Sequence, residues 1–471
     1  MPDGRIPVVV SAESPQLLID EATAVRDYVT AHPDTGIDEV ADTLLRTRTV
    51  RPYRAVIIAS ERADLLGGLD ALVSGEPDPN LIRADGPATT RRFGFVFPGQ
   101  GSQRPGMGTL FYEHSAAYRD KVDECAAVLE KECVTTEPLR YLLGDDTRAD
   151  EVGVLQPALF MHTVGLAAMW LATGVRPSVA VGHSQGELAA AAICGYATLR
   201  DALVATKVRA DFIAEHAPLG YTMAVLGIDT AECESLIAHD IGWMKLSVVN
   251  SPHIVAVSGI RTDVLRLIET VRGTGRFATE IRVPYPAHTD VVAHHRQPLV
   301  AAVRDVLYER NFAESDIPLF AATIGDRIPQ GLPQAEFWFL NLRNRVRFDR
   351  ATVGAAGAAD FFIELADNPM LSLAVQENLS VAERTAPEAS SAVAPLVATS
   401  RREATDLSAF TRNLVTAAVH DLGFRWETLL DGATGKTGSG VLPNFPKRSI
   451  AATESTDHIP TWVIPPAVGN G

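Results

Sequence analysis

Apolar positions along the chain fall into short runs and helix-spaced sets, so the sequence reads as alternating strands and helices. The first run, residues 6–11, predicts a strand, and helical spacing follows over 15 to about 32 and again over 38–45. A second strand is predicted over 54–60 and a helix over 62–74, which makes residues 1–90 a small α/β unit. The stretch GEPDPNLIRADGPATTRR then interrupts every period with Gly, Pro and Asp, as a boundary segment would.

From Phe93 the pattern changes. An apolar strand at 93–97, long helices and a fully apolar strand at 177–183 running into ELAAAAICGYA repeat the order strand, tight turn, helix. That order predicts an α/β fold with a parallel, doubly wound sheet. Between 221 and 283 the order becomes βαββαβ, the ferredoxin-like plan, inserted as a smaller subdomain. Residues 91–220 and 284–400 make up the large part, and 401–471 form a closing segment with a helical pattern over about 403–421. TAPEASSAVAP is small and polar, and the final TESTDHIPTWVIPPAVGNG has no period; the latter is expected to lie as a surface strap or a frayed end.

Charge and cysteine content narrow the function. The 471 residues carry 42 Lys and Arg against 58 Asp and Glu, a formal charge of −16. With no basic run, this argues against binding nucleic acid or an anionic membrane. Cys125, Cys133, Cys194 and Cys233 include no CxxC pair, so a reducing compartment is expected. The opening residues lack the regions of a signal peptide, and no uninterrupted stretch of about 18 apolar residues occurs; the expected location is the cytoplasm. A small molecule or another protein is the natural partner.

Gly182-His183-Ser184-Gln185-Gly186 is GxSxG between a strand and a helix. Such a turn strains the serine and requires flanking residues without Cβ, so that Ser184 Oγ projects at a helix N-terminus where the Gln185 N–H can meet an oxyanion. A glycine-rich structural loop is the competing reading. FPGQGSQ after the strand at 93–97 could supply a second oxyanion N–H or be a plain turn. It is no dinucleotide fingerprint, because Arg104 stands where the third glycine is needed. The candidate bases are His162, His183, His288, His294 and His295. His183 adjoins the serine and is expected to point away from the reacting face, whereas His288 ends TEIRVPYPAH at the exit of the inserted unit. No carboxylate or cysteine completes a metal set around His288, His294 and His295, so no metal is expected. Gly435-Lys436-Thr437 is half a phosphate loop, with Leu430 where its first glycine belongs, and is rejected.

Together these motifs resemble the acyltransferase domain of modular polyketide synthases, in the malonyl-CoA:acyl carrier protein transacylase superfamily. The matching pieces, in order, are FVFPGQGSQRPGMG, QPALF, GHSQGELAAA, Arg209, VVNSPHIVAVSG, PYPAHT, FWFLNLRNRVRF and FFIELADNPML. Residues 1–90 resemble the linker joining a ketosynthase to its acyltransferase; Trp426 and LPNFPKR resemble the linker that follows the acyltransferase. The resemblance implies an α/β-hydrolase-like large subdomain with a ferredoxin-like small one. It also implies Ser184 as nucleophile, and His288 as base, oriented by a backbone carbonyl rather than an aspartate. Gln100 and Gln185 would supply oxyanion N–H groups, and Arg209 would pair with the free carboxylate of a malonyl-type extender unit. The implied partners are acyl-CoA as donor and the phosphopantetheine of an acyl carrier protein as acceptor, with a ketosynthase nearby and no bound cofactor.

Some positions depart from the family pattern. Arg345 replaces a usual proline, Asn368 stands where a histidine is common, and the selectivity motif reads Tyr285-Pro286-Ala287-His288. Tyr285 and Gln185 lean toward methylmalonyl and Ala287 leaves space where malonyl enzymes often carry Phe; Pro286 leaves the choice between malonyl and methylmalonyl open. No Asp-Ser-Leu attachment site is present, so the carrier is expected on a separate chain or another part of a larger synthase. A serine hydrolase or thioesterase using the same elbow, and a catalytically idle scaffold, remain the alternative readings.

Overall fold

The computed structural model describes residues 1–239, 242–385, 394–429 and 441–449. The GKT stretch, the final strap and most of TAPEASSAVAP lie outside these residues.

Strands Ile6–Ala12, Tyr53–Ala59 and Leu81–Arg83 form an antiparallel sheet in that order. Val8, Val10, Ala55 and Ile57 face one core, shared with helices Pro15–Ala31, Ile37–Thr47 and Arg62–Ser74. Val9, Val56, Ile58 and Ile82 face the core of the rest of the molecule. Both faces are buried, which is why these strands read as continuous apolar runs and not as alternating ones. Leu81–Arg83 corrects the expectation that the segment after Gly75 is irregular throughout. Three residues between Asp, Pro and Gly are too few to show a period, and pairing with Ala55–Ile57 decides their shape.

The large sheet has the order Asp326–Arg327, Leu319–Ala321, Pro177–Gly182, Phe93–Phe97, Phe361–Glu364, Leu396–Ala398. All neighbours are parallel except the Asp326–Arg327 edge. Helix Val152–Ala172 is long and apolar enough to cross a membrane by length and composition alone, yet 94% of its most apolar window is buried inside the protein. It is apolar on every side because it is packed on every side. Phe97 pairs with Gly182 and Gly182 with Ala321, so three loops leave the carboxyl edge of the sheet side by side. Ligand sites of parallel sheets form at that edge.

The inserted unit follows the expected βαββαβ order, with strands Tyr221–Leu226, Met244–Ser251, Ile254–Ile260 and Ala278–Ile281 and helices Thr230–His239 and Arg261–Gly273. Its sheet gains a fifth strand from outside 221–283: Val346–Arg347 pairs in parallel with Val248 and Val249. One face carries the helices over Ala224, Leu246, Val255 and Val257. The other presents Met223, Val248 and Ala256 to the core of the large part. Near the C-terminus, helix Ser408–His420 packs Phe410 edge-on against Trp170, and Arg54 reaches the Asp421 carbonyl at 3.0 Å. Residues 441–449 lie on the N-terminal unit, where Leu442 and Phe445 join its core and Tyr28 Oη donates to the Pro443 carbonyl at 2.9 Å.

Candidate active site

The strand Pro177–Gly182 ends one residue earlier than expected, and the chain turns through Ser184 into helix Gly186–Ile193. Ser184 has φ +52°, the left-handed region that a residue with a Cβ avoids. The neighbours must then be glycine: a Cβ on Gly182 would stand 2.6 Å from Glu187 Cγ, and one on Gly186 would stand 2.5 Å from the Pro98 carbonyl oxygen. The strain presents Ser184 Oγ to His288, whose Nε2 lies 2.8 Å away.

His288 also has a positive φ, +59°. Its Nδ1–H donates to the Asn344 carbonyl at 3.0 Å. A carbonyl only accepts, so the Nδ1–H tautomer is fixed and the Nε2 lone pair is left for the serine proton. Burial first, and the His183 imidazole second, push His288 down to about 3, so the ring is neutral at physiological pH. Of the other candidate bases, His162 sits between Tyr118 Oη at 2.7 Å and Asp367 at 3.2 Å. His294 and His295 belong to the turn Asp290–His295, with His295 edge-on to Phe212. His183 corrects an expectation: it lines the same cavity as Ser184, and its Nε2–H donates to Asn250 Oδ1 at 2.8 Å. The alternation of the strand does not carry through a turn as sharp as this one.

The cavity beside Ser184 measures about 50 Å³ and is walled by Met223, Val248 and Ala256 of the small sheet together with Tyr285, Ala287 and His288. Gln100 and Val283 connect it to a wider cleft of about 530 Å³ that carries Arg104, Arg261 and Arg282. Among the described residues, the backbone N–H groups of Gln100 and Gln185 make no hydrogen bond within the protein. The loops bearing them are joined by Gln156, whose Nε2 donates to Gln100 Oε1 at 3.0 Å and whose carbonyl accepts from Gln185 Nε2 at 2.6 Å. Tyr285 Oη belongs to the same cluster, accepting from Gln156 Nε2 and donating to Gln100 Oε1.

Arg209, on helix Leu199–His216, is 2% exposed and does not line the cavity. Its Nη1 donates to Asn341 Oδ1 at 2.5 Å, and Asn341 Nδ2 donates in turn to the Ser184 carbonyl at 2.8 Å. Among the described residues no carboxylate forms an ion pair with Arg209, and its Nε has no partner. Burial lowers its pKa, and the Tyr285 and Glu187 charges oppose that. Glu187 is fully buried; desolvation pushes it up to about 7, against its hydrogen bonds to Thr323. The sequence reading missed Glu187, Thr323, Asn341 and Asn344. The available signal was a carboxylate heading the otherwise apolar helix GELAAAAI, and the Asn-Leu-Arg-Asn run at 341–344.

The chain is 34% identical over 448 residues to polyketide synthase GfsA of Streptomyces halstedii, which is 93% of this chain and 6% of that protein. To erythronolide synthase EryA2 of Saccharopolyspora erythraea it is 31% identical over 447 residues, 94% of this chain and 12% of that protein. It thus spans a small fraction of the curated relatives it matches. The solved acyltransferase domain from module 8 of the salinomycin polyketide synthase has the same fold, with a TM-score of 0.78 at 30% identity over 90% of this chain and 98% of that one. The family described as acyl transferase domain matches residues 94–422. With its elbow serine, its parallel sheet carrying an inserted second sheet, and these relatives, the chain belongs to the acyl transferase domain family, of the kind found in polyketide synthases.

Proposed function

We propose that this chain loads a malonyl- or methylmalonyl-type acyl group from coenzyme A onto an acyl carrier protein through an ester on Ser184. The observation that supports it most is the Ser184, His288 and Asn344 carbonyl relay, set one residue away from a buried arginine without a carboxylate partner. Ser184 Oγ attacks the thioester carbonyl while its proton passes to His288 Nε2. The Gln100 and Gln185 N–H groups meet the oxyanion, and the coenzyme A sulfur leaves with the proton from His288. In the second half the phosphopantetheine thiol of the carrier attacks the ester, gives its proton to His288, and departs as a thioester while Ser184 is regenerated.

In this reading Arg209, buried behind the cavity wall and not lining it, takes up the free carboxylate of the extender unit, with which a guanidinium can form two parallel hydrogen bonds. Ala287 lines the catalytic cavity and leaves room for an α-methyl branch, which favours methylmalonyl as the substrate. A hydrolase of related fold orients its histidine with an acid; here a carbonyl holds it, which weighs against that reading. The three-stranded unit at the N-terminus fits a linker beside a ketosynthase. No metal or redox group enters these steps.

Intact-protein mass spectrometry after mixing with malonyl-, methylmalonyl- and acetyl-CoA tests the proposal. The wild type gains the mass of one malonyl-type acyl group and Ser184→Ala gains none. An adduct retained by Ser184→Ala removes Ser184 from the nucleophile's role, and no adduct on the wild type with any thioester removes the proposal.

A further inference from the structure

Glu187 is the second residue of the helix Gly186–Ile193, and its helix neighbours Gly186 and Leu188 to Ala191 are buried. An acid in a first turn ordinarily serves its own helix's N–H groups and dipole. Glu187 does not: both carboxylate oxygens reach across to the next strand's loop, Oε1 accepting from Thr323 N and Oε2 from Thr323 Oγ1, each at 2.8 Å. A well-packed apolar side chain in place of a buried carboxylate is often neutral or stabilising, so stability alone gives no reason for an acid here.

Thr323 is the branching point. Its hydroxyl, while donating to Glu187, accepts from Asn341 Nδ2 at 3.0 Å; its carbonyl accepts from Asn344 Nδ2 at 3.2 Å. Along the first branch Asn341 holds the Ser184 carbonyl and the Arg209 guanidinium. Along the second, Asn344 presents the carbonyl that fixes the His288 tautomer. The nucleophile, the arginine and the base come from three separate stretches of chain, and Thr323 ties all three to one anchored point.

We propose that Glu187 and Thr323 are positioning residues, which hold Asn341 and Asn344 in place and thereby set the alignment of Arg209 and His288. The proposal rests on the acyl transfer reading above. Neither side chain touches the acyl group; each acts through an asparagine.

The test compares Thr323→Val, which keeps the shape and loses the hydroxyl, with Thr323→Ser and Glu187→Gln. Single-turnover acylation by malonyl-CoA and by acetyl-CoA is measured for each folded variant. Thr323→Val is expected to slow both, through the base, and malonyl the more, through the arginine, with losses of roughly ten- to a hundredfold. The malonyl-to-acetyl ratio falls in Thr323→Val and Glu187→Gln and recovers in Thr323→Ser. A purely structural defect lowers both substrates in proportion to the folded fraction and leaves that ratio unmoved, and this result overturns the proposal. A wild type that forms no acyl adduct overturns the reading of function instead, so the two failures are distinct.

Discussion

In the proposed reaction the state of one imidazole, that of His288, sets the pH range in which Ser184 acts as nucleophile. Burial and the His183 imidazole hold His288 near 3, well below the ordinary imidazole value. Single-turnover acylation should therefore show no acid limb near pH 6.5; a limb centred there would mean that the ring is solvated and titrates as a free imidazole. The sign for stability follows from the same shift. The unfolded chain takes up the proton at a higher pH than the folded one, so His288's contribution is intact above about 6.5 and is lost progressively as pH falls toward about 3. Arg209 makes the second residue-scale expectation. Removing its guanidinium in Arg209→Ala should cost malonyl transfer about 2 to 5 kcal/mol in kcat/KM and acetyl transfer far less, because only malonyl leaves a carboxylate unpaired. Equal losses for the two thioesters would deny it that role. Ser184 was legible as a candidate because it stands in GxSxG at the end of an apolar run; His288 was one of five candidate histidines in the residues' own pattern, and the resemblance singled it out. Asn341 and Thr323 were not, since asparagines and threonines are ordinary surface residues, and their roles arise from a partner 157 residues away in one case and 136 in the other.

Elements explain why the elbow tolerates no side chain at its glycines. A Cβ on Gly186 would meet the backbone oxygens of Phe97, the last residue of its strand, and of Pro98, which opens the loop that carries Gln100. Those atoms are main chain and cannot rotate away, so Gly186→Ala must push helix and loop apart. The expected cost is about 1 to 3 kcal/mol of stability, read as a shift in denaturation midpoint, with a loss of acylation beyond it because the loops carrying the proposed oxyanion donors Gln100 and Gln185 part. Unchanged acylation in the folded variant would place the oxyanion donors elsewhere. Periodicity gave the helices and first two strands of the N-terminal unit and the βαββαβ order of the inserted unit, whereas the helices of the large part were expected only as long helices without bounds. Leu81–Arg83 and Val346–Arg347 were not, because elements of three and two residues owe their shape to a neighbouring strand and not to any period of their own.

For the whole molecule, the candidate site is assembled across the seam between the two larger sheets: Ser184 on the large one, the cavity wall on the small one, and the Asn344 carbonyl in the connection that also supplies Val346–Arg347. Residues 441–449, by contrast, bind the N-terminal unit through Phe445, Pro443 and a bond from Ser449 N to Glu21. The LPNFPKR resemblance marked this stretch as a linker, but its docking on the N-terminal unit was not legible in the residues' own pattern. The left-handed backbone at residue 184 reaches furthest at this scale. Ser184→Ala and Ser184→Gly both lose the hydroxyl, so the difference between them isolates the backbone. Elsewhere alanine is the more stable of the pair; here Ser184→Gly should be the more stable by about 1 kcal/mol, measured by thermal unfolding. The usual order would mean that the turn relaxes at no cost. If glycine wins, the cost of the left-handed turn falls on the Cβ that serine shares with alanine, so the wild type carries that strain in order to present its hydroxyl.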